Sequence, residues 1–280
     1  MSQKTKISIA YSPNQKKYKN NDNKIKNSLD SISIILKNSG YEVSQLALDD
    51  YFLLKIKTIY PHLIFNYTTV NTNTNEQILT RSLLEKSGLP FLGSSMKTTF
   101  ISSYKDLSKY KLSSHGLPIV NFQFFDKLNI QNQQAILVEE FIKGRNLAVA
   151  VWGNYHPEAL TVHELKFNNV DNNNNMNHNK SLKQIYPALI PTDLELFIKN
   201  LAIEAYKALE IRDYGIINFI ISEDDMIYIT DTSVLPELDK ESSLFVAMAN
   251  TMGLNYDDVI KNIINIAFNR YHIEKVSKQA

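Results

Sequence analysis

Carboxylates gather late in the 280-residue chain, where Asp231 ends an extended run and Glu237, Asp239 and Glu241 follow in Leu235-Pro236-Glu237-Leu238-Asp239-Lys240-Glu241. Loops after strand ends are common places to build a site, so these groups, with Ser243, suit a polar ligand or proton exchange with one. They also suit a solvated acidic loop that caps a helix at Ser242 or Ser243. Glu139 and Glu140 close an apolar run and leave two options as well: a hinge that hydrogen-bonds a ligand, or edge charges that discourage strand pairing. Lys105 stands alone, either as a phosphate contact or as a solvated helix lysine. None of the six histidines forms a His-x-x-x-His pair, so no metal site is expected. There is no Gly-x-Gly-x-x-Gly, Walker loop or Gly-x-Ser-x-Gly elbow, which removes dinucleotide oxidoreductases, P-loop NTPases and α/β-hydrolases as first readings. The absence of cysteine removes thiol nucleophiles, thiolate metal sites and disulfides.

The composition that must position these groups is 44% hydrophobic and 21% charged, enough core for two or three domains. Thirty basic residues against twenty-nine acidic ones, net +1, provide no global field for a polyanion, so no nucleic-acid partner is expected. No window approaches ~20 apolar residues and the first residues lack an apolar leader, so the chain is expected to be soluble and cytoplasmic, with no membrane partner. The asparagine-rich run from Asn168 to Asn179 reads as a flexible surface loop.

Lys6 to Tyr11 alternates as a strand, and Leu29, Ile32, Ile35 and Leu36 recur at helical spacing up to Gly40. Tyr41-Glu42-Val43 and His62 to Asn66 read as further strands, and Glu76 to Ser87 as a helix stopped by Gly88, the alternation of a small, partly parallel α/β domain. Ser94 and Ser95 can cap a helix over Lys97 to Ser113. Ile119 to Phe125, Ile136 to Ile142, Leu147 to Trp152 and Ala159 to Leu165 are β-prone and suggest an antiparallel sheet. A helix follows over Leu194 to Leu209 with Thr192 as cap, then strands Tyr214 to Ile221 and Met226 to Asp231, and helices near Ser243 to Met252 and Tyr256 to Tyr271.

The order of these pieces carries a resemblance. Gly88-Leu89-Pro90-Phe91-Leu92-Gly93-Ser94, Lys105 and His115-Gly116-Leu117-Pro118 resemble the start of an ATP-grasp ligase, most nearly the D-alanine-D-alanine ligase family. Ile136-Leu137-Val138-Glu139-Glu140-Phe141-Ile142-Lys143-Gly144-Arg145 is similar to that family's adenine-binding hinge. Tyr186-Pro187-Ala188, Arg212-Asp213-Tyr214-Gly215, Tyr228 to Pro236 and Gly253-Leu254-Asn255-Tyr256 continue the likeness over nearly the whole chain. It implies an α/β (α+β) ATP-grasp fold with an N-terminal α/β domain over 1–95, a shortened central subdomain over 96–138 and a C-terminal subdomain over 139–280. In the family, ATP phosphorylates one amino acid's carboxyl and a second amino acid's amine attacks the acyl phosphate. Carboxylate-held magnesium, lysines and an arginine stabilise the moving charge.

Against that pattern, Gly-Arg-x-Asp is replaced by Gly215-Ile216-Ile217-Asn218, and Glu-x-Asn by Asp231-Thr232-Ser233. Asn146 stands where the family places a ribose-binding glutamate, and Glu237 follows Pro236 where it has glycine. Only Ile119 to Ala135, with Lys127, remain where the family carries a second phosphate lysine and a closing Ser/Gly-rich loop. The family's early His-Gly and substrate-orienting glutamate are missing, with Asn23 or a neighbour in that stretch. Losing one well-placed charged stabiliser costs ~2.7–4 kcal/mol of transition-state stabilisation. Lys105 and Glu139 are therefore expected to be vestigial nucleotide contacts, with no cofactor and no metal, while Asp231, Glu237, Asp239 and Ser243 are the candidate catalytic groups; Ser243 resembles the serine that touches the second substrate. The expected function is binding of a small amino-acid-like ligand, or a noncatalytic partner role, without standard ATP-driven ligation. Two alternatives stay open: an ATP-independent hydrolase or cyclase of an amino-acid derivative, and a divergent ATP-dependent carboxylate-amine ligase. A homodimer through the short first domain is open on the same ground.

Overall fold

The computed structural model describes residues 4–12, 22–68, 74–125, 136–167, 182–185 and 187–274. The asparagine-rich run, Lys127 with the rest of 126–135, and Tyr186 lie outside the described residues.

Three parallel strands, β1 (Lys6–Tyr11), β2 (Glu42–Ala47) and β3 (Leu63–Tyr67), form the first sheet in the order β2-β1-β3. The central strand is covered on both faces, as parallel sheets require. Ile7 and Ile9 pack with Leu29, Ile32 and Leu36 of α1 (Asp22–Asn38), and Ala10 packs on the other side with Phe52 and Ile56 of α2 (Phe52–Ile59) and Leu84 of α3 (Thr74–Lys86). The sequence pattern does not announce α2, because it is eight residues long and only Phe52 and Ile56 are buried.

The helix expected over 97–113 is two helices, α4 (Met96–Ser103) and α5 (Lys105–Ser114), separated by Tyr104 in an extended conformation. Ser95 caps α4 by accepting from Thr98 N–H at 3.1 Å. The break follows Ser102-Ser103, whose type competes for nearby backbone groups; the Ser103 hydroxyl donates back to Thr99 O at 2.7 Å.

The four β-prone runs do not share one sheet. β4 (Phe122–Phe125) and β5 (Ile136–Glu139) pair only with each other, whereas β6 (Gly144–Trp152) joins a six-stranded sheet ordered β11-β10-β6-β8-β9, with β7 (Glu158–Ala159) also on β6. β8 is His163–Phe167, β9 Leu182–Ile185, β10 Tyr214–Ser222 and β11 Ile227–Ser233. The long apolar β10 lies along all nine residues of β6, so the distant partner prevails over the neighbouring run. Gly144 permits that contact to begin: a Cβ there would fall 1.9 Å from Ile221 O.

Alternation along β6 sends Leu147, Val149 and Val151 towards Ile198, Ala202 and Ala205 of α6 (Thr192–Ala208). Ala148, Ala150 and Trp152 face the other way, towards α7 (Leu244–Asn250) and α8 (Tyr256–Arg270). The residue capping α6 is Pro191, without a side-chain bond, and α8 carries a reciprocal capping box between Asn255 and Asp258. Helices α7 and α8 share one core with α1 and β1, so the first and last parts of the chain are packed together.

A buried ion pair ties this seam. Asp213, 0% exposed, accepts from Arg270 Nη2 at 2.7 Å, Arg270 Nε at 2.9 Å, Gly93 N–H at 2.6 Å and Asn154 Nδ2 at 2.9 Å. Arg270 also donates to Phe91 O at 2.8 Å. Burial works against the guanidinium's charge, but Asp213 outweighs it and holds Arg270 above its ordinary pKa. No helix among the described residues is long and apolar enough to cross a membrane.

Candidate functional site

The strand register sets side chains in rows across one face of the large sheet. His163 on β8, Ala148 on β6, Asn218 on β10 and Asp231 on β11 are successive partners, and the next row holds Ala150, Ile216 and Ser233. This is the face turned towards α7 and α8. Between Asn218 and Phe219 the β11 register skips Thr230, a bulge that ends regular pairing beside Asp231. Asp231 is exposed, and its Oδ1 accepts from the adjacent Thr232 N–H at 2.8 Å; Asn218 is half-buried. The row therefore carries one carboxylate, one amide and one imidazole. His163 is fully buried, and desolvation lowers its pKa to about 4, so at neutral pH it brings no positive charge to the row. Among the described residues, no group of three or more His, Asp or Glu could hold a metal ion.

Where β6 begins and pairs with β8, a groove of about 630 Å³ is lined by Gly144, Arg145, Asn146, Glu164, Lys166 and Leu189, among others; Arg145 and Glu164 alternate onto the opposite side of the sheet, the side of Leu147 and α6. Arg145 crosses it in a fork to Glu164, with Nε–Oε1 at 3.2 Å and Nη2–Oε2 at 2.8 Å, and also reaches Leu189 O at 3.0 Å. The pair raises the arginine's pKa and lowers the glutamate's, each chiefly through this hydrogen bond.

Glu139 ends β5 at the surface and pairs with a buried lysine that sequence reasoning missed. Lys109 of α5 is 3% exposed, its Nζ lies 3.0 Å from Glu139 Oε1, and it sits over the Phe122 ring at 5.9 Å. Neighbouring Glu140 accepts from Asn121 Nδ2 at 2.9 Å. Lys105, by contrast, opens α5 and is exposed. Removing Glu139 leaves a buried ammonium uncompensated, whereas removing Lys109 leaves a carboxylate that water reaches. Glu139→Gln is accordingly expected to destabilise the fold by about 2 kcal/mol and Lys109→Met by less than about 1 kcal/mol, read from urea midpoints; equal losses would contradict this asymmetry.

The loop before α7 is knotted by its own polar groups. Asp239, 7% exposed, accepts from Ser28 Oγ of α1 at 2.8 Å and, on its other oxygen, from Ser242 N–H at 2.9 Å, Ser242 Oγ at 2.8 Å and Glu241 N–H at 3.1 Å. Burial would raise its carboxyl pKa, but these donors prevail and hold it below the ordinary value. Ser243 caps α7 by accepting from Val246 N–H at 3.1 Å and donates to Glu237 O. Glu237 is half-buried. The structure thus brings Glu237, Asp239 and Ser243 together in one loop, and places Asp231 separately on the bulged strand. Lys109 had one signal in the sequence: it is four residues after Lys105 on an α5 face whose next member, Leu112, is buried. His163 had none, because its burial depends on the pairing of β8 with β6.

The D-ala D-ala ligase C-terminus family matches residues 120–265 of the chain. Among solved structures, the D-alanine-D-alanine ligase from Bacillus anthracis complexed with ATP superposes with a TM-score of 0.77 at 16% identity, over 96% of this chain and 99% of that one. The D-alanine-D-alanine ligase from Coxiella burnetii gives 0.73 at 15% identity, over 96% and 95%. The VanG D-Ala:D-Ser ligase from Enterococcus faecalis gives 0.75 at 16% identity, over 95% and 100%.

Proposed function

Because the chain belongs to the D-ala D-ala ligase C-terminus family and has the ATP-grasp fold of the ligases it superposes on, we propose that it keeps their cleft for a small amino-acid-like ligand, or for a noncatalytic partner role, without ATP-driven ligation. The observation that supports this reading is the chemistry of the two cross-sheet rows. Holding a triphosphate for phosphoryl transfer takes carboxylate oxygens on magnesium and cations on the moving phosphoryl group. The rows offer Asp231 as their single carboxylate, the amide of Asn218, the hydroxyl of Ser233 and the alkyl side chain of Ile216. This donor set does not fit a magnesium pair. The hinge carboxylate of Glu139 and the groove cation of Arg145 are each engaged internally, with Lys109 and with Glu164. Of the groups that ATP-independent acid-base chemistry would draw on, Asp239 and Ser243 are likewise committed to internal hydrogen bonds.

Manganese, followed by its paramagnetic resonance signal, tests the row directly. The native protein is expected to bind Mn²⁺ no more tightly than about millimolar, and Asn218→Asp, which sets a second carboxylate beside Asp231, to bind it about tenfold more tightly or better. Micromolar binding by the native protein would sink the proposal.

A further inference from the structure

Arg81 of α3 is the largest fully buried side chain in the described structure, 1% exposed, and none of the groups discussed so far accounts for its charge. Its Nη1 donates to Thr68 Oγ1 at 3.2 Å, and that hydroxyl donates to Asn66 Oδ1 at 3.0 Å. Two buried donors remain without an acceptor, Arg81 Nε and Asn66 Nδ2. Among the described residues, no carboxylate forms an ion pair with the guanidinium. Glu85, one helical turn on, directs Oε1 to Met96 N–H at 2.8 Å. The other charged-state neighbour is Tyr214, whose phenol is kept neutral because burial raises its pKa. Burial lowers Arg81 to about 10, which leaves it a cation at neutral pH.

A buried cation without an ion-pair partner is among the most expensive groups a fold can hold, and a guanidinium Nε–H left without an acceptor can donate to a carboxylate oxygen. Its place in the fold also points to a ligand. Asn66 is on β3 and Thr68 immediately follows its carboxyl end, the side of a parallel sheet where ligands settle, and Tyr214 opens β10 across the seam from it. We infer that Arg81, with Asn66 Nδ2, is the receptor for the carboxylate of the ligand, which reaches it when the seam between the parallel sheet and the large sheet opens. The inference rests on the amino-acid-like ligand proposed above and names the group by which that ligand is held.

Thermal melts and calorimetry with D-alanine and propionate against D-alaninamide and propionamide, on the full chain, test it. Both carboxylates are expected to raise the melting temperature saturably and both amides to leave it unchanged. Arg81→Met should melt no lower than the native protein without ligand, and should bind the carboxylates about tenfold more weakly or not at all. Carboxylate binding retained in Arg81→Met, or amides acting as well as carboxylates, would overturn the inference. If Arg81→Met does not fold, Asn66→Leu decides: a weakened carboxylate response supports the receptor, and an unchanged one overturns it. No response of the native protein to any of the four overturns both the receptor and the ligand reading. Micromolar Mg-ATP binding together with an Arg81-dependent carboxylate response would remove the ATP-free reading and leave the receptor standing.

Discussion

Asp213→Ala is expected to lower the unfolding free energy by about 3–5 kcal/mol, because it strands the Arg270 guanidinium in a largely buried site without its counter-charge. Arg270 is 12% exposed and directs both Nε and Nη2 at the Asp213 carboxylate. The same carboxylate accepts from Gly93 N–H and Asn154 Nδ2, so the substitution takes an acceptor away from donors on three segments. Alanine also meets a backbone that aspartate tolerates better, since Asp213 has φ +66. Asp213→Asn separates the contributions: it keeps the shape and the left-handed backbone but removes the charge, and most of the loss should remain. Urea denaturation measures both variants. A loss below about 1 kcal/mol in each would mean that water or a rearrangement relieves Arg270 and that the seam is not held by this pair.

Lowering the pH from 6.5 to 4 should weaken the fold through His163 by up to about 3 kcal/mol. Burial sets its folded pKa at about 4, below the ordinary value of 6.5. Between those values the unfolded chain binds a proton that the folded chain does not, so the linkage favours unfolding as pH falls and contributes nothing further above pH 6.5. The carboxylates held low by partners act in a lower window. Glu210, held at about 2 chiefly by hydrogen bonds from Lys111 and Lys97, loses its contribution only as pH falls below its ordinary value of 4.5. His163→Leu should therefore flatten the stability profile between pH 6.5 and 4.5 and leave the fall below pH 4 in place. A variant with the native slope between 6.5 and 4.5 would show that His163 does not titrate there.

Periodicity reveals most of the elements, because each strand or helix with a buried face repeats its apolar residues at the period of that face. α1 and α8 and strands β1, β3, β10 and β11 are legible in this way, and the family resemblance in the hinge and in Arg212-Asp213-Tyr214-Gly215 agrees with the fold found. What periodicity does not supply is partnership. The runs 119–125 and 136–142 look like members of the sheet that β6 joins, and only the match of β6 with β10 along their whole length removes them from it. The same limit applies to the site. Asp231 is legible as a carboxylate of this strand, although β11 runs two residues past it to Ser233, and its neighbours Asn218 and His163 come from register, 13 and 68 positions away in the chain. Asp239 and Ser243 read as candidate catalytic groups from their types, and the structure sets them in hydrogen bonds to Ser28, Ser242 and Val246 that are invisible until α1 and α7 meet. Arg81 carries no motif; only near-complete burial without an ion pair among the described residues makes it conspicuous.

Titration calorimetry of the full chain with ATP and excess magnesium is the most direct measurement of whether this cleft still accommodates a polyphosphate. With one carboxylate in the cross-sheet rows, a neutral His163 and a hinge glutamate bound to Lys109, no saturable heat is expected up to millimolar nucleotide. Micromolar, magnesium-dependent binding that is lost in Asp231→Asn would contradict the account.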